Sequence, residues 1–91
     1  MENIETLRKR LLYQSQHRGI REMDLLLGGF AHSFIRDMGL IELQQFKDLL
    51  ALPDQDLCRW LFEKKPLPLQ ISPKLGERIK AYSQTLFRAP S

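Results

Sequence analysis

The sequence predicts an all-α fold, a compact single-domain bundle of five short helices over residues 1–91. Three observations carry that prediction. Leucine supplies 17 residues and isoleucine 6, while threonine occurs only 2 times and valine is absent; helices favour leucine and strands favour β-branched side chains. Apolar residues recur at spacings of three and four, the repeat of one helical face. Glycine and proline mark most of the boundaries between those stretches.

Ile4, Leu7 and Leu11 form one stripe and predict a first helix over 4–16. His17-Arg18-Gly19 follows, and glycine ends helices well because it tolerates positive φ. The second helix is predicted from Glu22 to Arg36, with Met23, Leu26 or Leu27, Phe30 and Phe34 on one face. Glu22 and Asp24 suit the positive end of its dipole. Gly28 and Gly29 lie inside it, at a cost of about 1 kcal/mol each relative to alanine. Another helix crossing closely there would explain them; a kink or a partner contact are the alternatives.

Met38-Gly39 interrupts the pattern, and Leu40, Leu43, Phe46, Leu49 and Leu50 predict a third helix over 40–51, stopped by Pro53. Asp54 reads as the N-cap of a short fourth helix with Leu57, Trp60 and Leu61 inward. Two prolines make Lys64-Lys65-Pro66-Leu67-Pro68 a stiff connection that cannot be helical. Ser72 and Pro73 open the fifth helix as N-cap and first helical residue, and Leu75, Ile79, Tyr82 and Leu86 give its stripe. Ala89-Pro90-Ser91 is expected to fray.

Composition narrows the function. A chain this short buries only about 64% of its unfolded surface, which leaves little room for a deep substrate cavity. Cys58 is the single cysteine, so no internal disulfide can form. Apolar runs are short, such as Leu25-Leu26-Leu27, against about 20 residues for a membrane span. Arg8-Lys9-Arg10 is not followed by the apolar stretch of a secretory signal, and Glu2 and Glu5 argue against a transit peptide. A bacterial cytoplasm is therefore expected before a mitochondrial matrix.

The net charge of +3 hides an asymmetry: residues 1–22 carry +2, residues 23–63 carry −4 and residues 64–91 carry +5. Lys64, Lys65, Lys74, Arg78, Lys80 and Arg88 make the last third basic, which keeps a small nucleic-acid-binding regulator as the alternative function. Against it, Arg78 and Lys80 are two apart and fall on different sides of a helix. The third and fourth helices carry Glu42, Asp48, Asp54 and Asp56, which would repel phosphate.

Catalytic and metal chemistry find no foothold. His17, His32 and Cys58 show no ligand spacing. Cys58 has no histidine near it in sequence to activate it. Asp54 and Asp56 could be paired carboxylates for acid–base work, but capping of the fourth helix accounts for them. Trp60 reads as core, and Arg8, Lys9 and Arg10 as a solvated face of the first helix.

The remaining cluster is His17-Arg18-Gly19-Ile20-Arg21-Glu22-Met23-Asp24, at the corner between the first two helices. A turn glycine, a capping acid and solvated arginines would account for most of it. Ile20 is apolar among charges, and Gly19 lets another backbone come close. Mixed charge around a small apolar tip fits a docking surface better than a catalytic pocket.

These residues resemble the R-G-x-x-E motif of the succinate dehydrogenase assembly factor family, also called flavinylation factors. Phe30-Ala31 follows in register, Asp54-Gln55-Asp56-Leu57 with Trp60 is similar to the family's D-x-D-L-x-x-W, and Lys65-Pro66-Leu67-Pro68 is similar to its K-P-x-P. The resemblance runs from about Leu11 to Pro68. Met23 departs from the leucine common in bacterial members, a volume-conserving exchange. The fifth helix and the tail match no motif.

The resemblance implies a chaperone-like factor and not an enzyme. Such factors bind the flavoprotein subunit of succinate dehydrogenase, and in bacteria often that of fumarate reductase, and promote covalent attachment of FAD to a histidine of that subunit. The attachment chemistry belongs to the flavoprotein and its flavin. The factor would be a monomer with no tightly bound cofactor, no catalytic or metal-ligating residue, no nucleic-acid partner and no membrane insertion. Arg18, Gly19, Ile20, Arg21, Glu22 and Asp24 would form the partner-binding surface, Gly19 allowing close approach and Arg18 and Glu22 making charge-assisted hydrogen bonds.

Overall fold

Short polar signals start the first and last helices of the computed structural model, which describes residues 3–87. Asn3 opens α1 (Ile4–Gln16) by accepting the Thr6 N–H at 2.8 Å. This cap satisfies one of the four amides that a helix start leaves without partners. Next come α2 (Arg21–Phe34), α3 (Leu40–Leu50), α4 (Asp54–Phe62) and α5 (Pro73–Leu86). Ser72 caps α5 as its sequence predicts: its Oγ accepts the Leu75 N–H at 3.2 Å, with Pro73 at the first helical position.

Each helix contributes an apolar stripe to one core. Leu7 and Leu11 of α1, Met23, Leu26, Leu27 and Phe30 of α2, Leu43, Phe46 and Leu49 of α3, Leu57 and Trp60 of α4, and Leu75 and Ile79 of α5 are all buried. Trp60 is only 4% exposed, a core residue as its spacing indicates. Stripe ends do not follow: Ile4, Leu40 and Leu86, each in a terminal turn of its helix, are exposed.

Gly28 and Gly29 mark where two other helices meet α2. A Cβ on Gly28 would lie 2.8 Å from Cγ and 3.4 Å from Cα of Gln16, in the last turn of α1. A Cβ on Gly29 would strike the Tyr82 hydroxyl of α5. Of the alternatives open in the sequence, the close crossing is the one realised. The helix itself ends sooner than predicted, tightening after Phe34 into a 3-10 turn at Ile35–Asp37 that buries Ile35.

Two charged segments differ from expectation. Arg8 is not part of a solvated face. It pairs with Glu5 and its Nη2 donates to the Met38 carbonyl at 2.9 Å, tying α1 to the turn after α2, while Lys9 and Arg10 are exposed. Asp54 is not the N-cap of α4: Pro53 holds that position with no side-chain bond, and Asp54 is the first helical residue. On α5, Arg78 pairs with Glu42 at 2.9 Å and lies over the Phe30 and Phe34 rings, whereas Lys80 lies over Trp60. The basic side chains of α5 thus turn to different sides, as their spacing requires. The expected fraying of Ala89-Pro90-Ser91 lies outside the described residues, as does Arg88.

The crossing at Gly28 sets a packing limit. Gly28→Val should lower unfolding free energy by about 1–3 kcal/mol through the contact with Gln16 and Ser15, measured by urea denaturation. An unchanged midpoint would show that α1 can move away without loss.

Candidate functional site

The corner between α1 and α2 is built from four residues, His17 to Ile20. His17 ends α1 with its N–H on the Gln14 carbonyl, and Gly19 turns the chain at φ +93°. That angle lies in the left-handed region, where a Cβ is strained. Ile20 begins α2, is half-buried against the core, and offers no side-chain cap. Asp24 supplies the missing tie by reaching back: its Oδ1 accepts the Arg18 N–H at 2.7 Å.

The Arg18 side chain points inward. Its Nε donates to Asp54 Oδ1 at 2.6 Å, one Nη to the Leu50 carbonyl at 2.6 Å and the other to the Leu52 carbonyl at 2.7 Å. The side chain is only 11% exposed. Leu50 ends α3 and Leu52 lies in the link to α4, where carbonyls lack helical partners. The guanidinium therefore lies at the negative end of one helix dipole, and Asp54 at the positive end of another. A planar fork with five donors on three nitrogens suits three acceptors set this far apart, one to each nitrogen.

This corrects two expectations. Arg18 was expected to face a partner, yet all three of its side-chain nitrogens are engaged within the chain. Asp54 was expected to cap α4 beside Asp56, yet it holds Arg18 across 36 residues of sequence. Asp56 stands apart, exposed and 4.0 Å from Arg59, so the two acids do not act as a carboxylate pair.

The other face of the corner is open. Gly19, Arg21 and Glu22 are exposed. Nothing approaches within 4 Å of a Cβ built on Gly19. Arg21 and Glu22 make no hydrogen bond or ion pair to another described residue, so both charges face water. The six predicted residues thus divide: Gly19, Arg21 and Glu22 outward, Ile20 half-buried, and Arg18 and Asp24 holding the turn from within.

Sequence reasoning missed an aromatic pair beside this face. Tyr13 stacks on His17 with ring centroids 4.0 Å apart and planes 17° from parallel. The His17 Nδ1–H donates to the Tyr13 carbonyl at 2.8 Å. With Lys47 and Ala51 the pair borders an open depression that reaches Arg18. Their spacing of four residues was the available signal, obscured because neither belongs to the apolar stripe.

Chemically, the corner presents a glycine turn, one cation, one anion and an aromatic rim. Cys58 is half-buried and His32 exposed on α2. Among the described residues no group of three His, Cys, Asp or Glu side chains could hold a metal ion. No described helix is long and apolar enough to cross a membrane.

The Gly19 backbone makes a separable prediction. Gly19→Ala should cost about 1–2 kcal/mol in urea denaturation, from backbone strain alone, since the space around it is open. No loss would mean that the turn relaxes to negative φ. Gly19→Arg carries the same strain, so its effect on docking must be read at matched stability.

A model of the family described as "Flavinator of succinate dehydrogenase" matches residues 9–83. The match takes in the corner and extends into α5, where no motif was recognised in the sequence. The chain is 46% identical over 65 residues to a mitochondrial succinate dehydrogenase assembly factor 2 of Dictyostelium discoideum, covering 71% of this chain and 46% of that protein. It is 39% identical over 67 residues to the FAD assembly factor SdhE of Acetobacter pasteurianus, covering 74% of this chain and 62% of that one. To the mitochondrial succinate dehydrogenase assembly factor 2 of Yarrowia lipolytica it is 38% identical over 97 residues, covering 98% and 67%. The chain thus spans from about half to two thirds of the length of these relatives. With the turn glycine, its two flanking charges and the inward arginine all inside the matched region, this chain belongs to the Flavinator of succinate dehydrogenase family.

Proposed function

We propose that this protein is an assembly factor that binds the flavoprotein subunit of succinate dehydrogenase and promotes covalent attachment of FAD to it. The observation that carries this reading is the family match over residues 9–83, which contains the whole corner. The names of its relatives add the chemistry: one is a FAD assembly factor and others are succinate dehydrogenase assembly factors. The reading extends to the flavoprotein subunit of fumarate reductase, takes the factor as a monomer, and treats FAD as the client's cofactor. The relatives come from mitochondria and from a bacterium, so they do not single out the bacterial cytoplasm favoured by the sequence.

The corner supports docking by its shape and charge. Gly19 has no side chain and no neighbour, so a client backbone can approach it closely. Arg21 and Glu22 offer one charge of each sign without first breaking an internal bond. Partly buried Ile20 gives the face an apolar edge. No bond need be made or broken in this chain: holding a client and its flavin in attack geometry can offset roughly 7–11 kcal/mol of barrier in the best intramolecular cases.

The test is to produce the flavoprotein subunit with and without this protein, denature it, and measure the flavin fluorescence that stays with the polypeptide. More retained flavin is expected in its presence, and equal signals would contradict the assembly role. Within that assay, Glu22→Ala should weaken the complex by about 1.5–3 kcal/mol while costing under about 1 kcal/mol of fold stability. Unchanged binding with a large fall in melting temperature would confine Glu22 to starting α2.

A further inference from the structure

We propose that Asp54 is a positioning residue for client docking: through Arg18 it presets the outward face of the corner, and Arg18 acts from inside without touching the client. This rests on the reading of the corner as a docking face. Few side-chain contacts hold the turn at residues 17–20. Its helix start at Ile20 lacks a side-chain cap, and Gly19 sits at φ +93°. Beside the His17 contacts to α1 and the packing of Ile20, two Arg18 ties fix it: the Arg18 N–H on Asp24, and the Arg18 guanidinium on Asp54 and the Leu50 and Leu52 carbonyls. The first is local, spanning six residues; the second is what orients the turn against α3 and α4. A face held in its bound geometry beforehand avoids an ordering cost on docking.

The rival arrangement has Arg18 swinging out to meet the client. Such a movement would strand the Leu50 and Leu52 carbonyls and an acid that is itself 28% exposed. The two arrangements predict opposite signs for one substitution. If Arg18 is a strut, weakening its anchor loosens the face and weakens docking. If Arg18 swings out, weakening its anchor removes an internal competitor and tightens docking.

Asp54→Asn is the decisive variant, since it keeps the shape and one acceptor oxygen but removes the charge. Affinity for the purified flavoprotein subunit should fall about fivefold, the difference between a charge-assisted and a neutral hydrogen bond. Arg18→Lys should fall at least as far, because a single ammonium cannot serve three divergent acceptors. The double variant should be no weaker than the worse single one. Asp54→Glu, which keeps the charge, should recover part of the loss. Ile79→Val, at a buried position of α5 that takes no part in the Arg18 ties, destabilises through the core and should keep wild-type affinity, separating positioning from general stability. In the free protein, amide hydrogen exchange at residues 17–22 should quicken in Asp54→Asn while core amides of α2 stay protected.

Tighter binding by Asp54→Asn would overturn the proposal and make Arg18 a direct contact. Unchanged exchange at residues 17–22, or unchanged affinity despite faster exchange, would overturn it too. A wild-type chain that fails to bind the client would overturn the assembly-factor reading and this proposal with it. The exchange measurement needs no client, so the two failures are told apart.

Discussion

A single guanidinium holds two corners of this small bundle together. Arg18 leaves the turn after α1 and ends on the carbonyls closing α3 and the carboxylate opening α4. The Leu50 carbonyl is one that a helix terminus leaves without a helical partner, the Leu52 carbonyl lies in the link that follows, and Asp54 adds a carboxylate at the start of α4. The interaction lies between opposite dipole ends and is largely shielded from water, so releasing either partner would leave a poorly solvated charge unpaired. A surface arrangement would be screened by salt and would contribute little to fixing geometry.

This explains why the corner pairs these residue types. An arginine that holds from within needs a turn that lets the chain reverse immediately afterwards, and Gly19 at positive φ supplies it. The chain then enters α2, and the first turn of that helix puts Arg21 and Glu22 on the outside. Residues adjacent in sequence therefore do opposite work, one part fixing the turn and the other facing water, where the proposed client would dock. A factor that contributes orientation needs this kind of stiffness more than it needs reactive groups. The small core supplies the remainder: Gly28 and Gly29 let α1 and α5 close onto α2, so the helix bearing the face is braced from two sides.

Much of the fold was legible because helix signals are local. Stripe spacing, the Ser72-Pro73 start, the Gly19 stop and the paired glycines of α2 each report on a few neighbouring residues, and the structure realises them. The errors came from contacts that sequence does not display. Arg18 and Asp54 are 36 residues apart, and two of the three Arg18 acceptors are backbone carbonyls with no side-chain signature. Arg8 failed for the same reason, with its long-range partner the Met38 carbonyl. A cluster of charges at a corner looks uniformly solvated until the fold shows which member has acceptors behind it. Hence the sequence singled out the corner that the proposal takes as the docking face, but its inner and outer halves were not distinguished.

The central claim is that the Arg18 fork stays closed while the outer face meets the client. The Arg18 Nε–H resonance tests it directly, followed by NMR in the free chain and after addition of the flavoprotein subunit. The account predicts slow solvent exchange of that proton in both states, with chemical-shift changes concentrated at residues 19–22. Loss of its protection on binding, with Asp54 released, would contradict it.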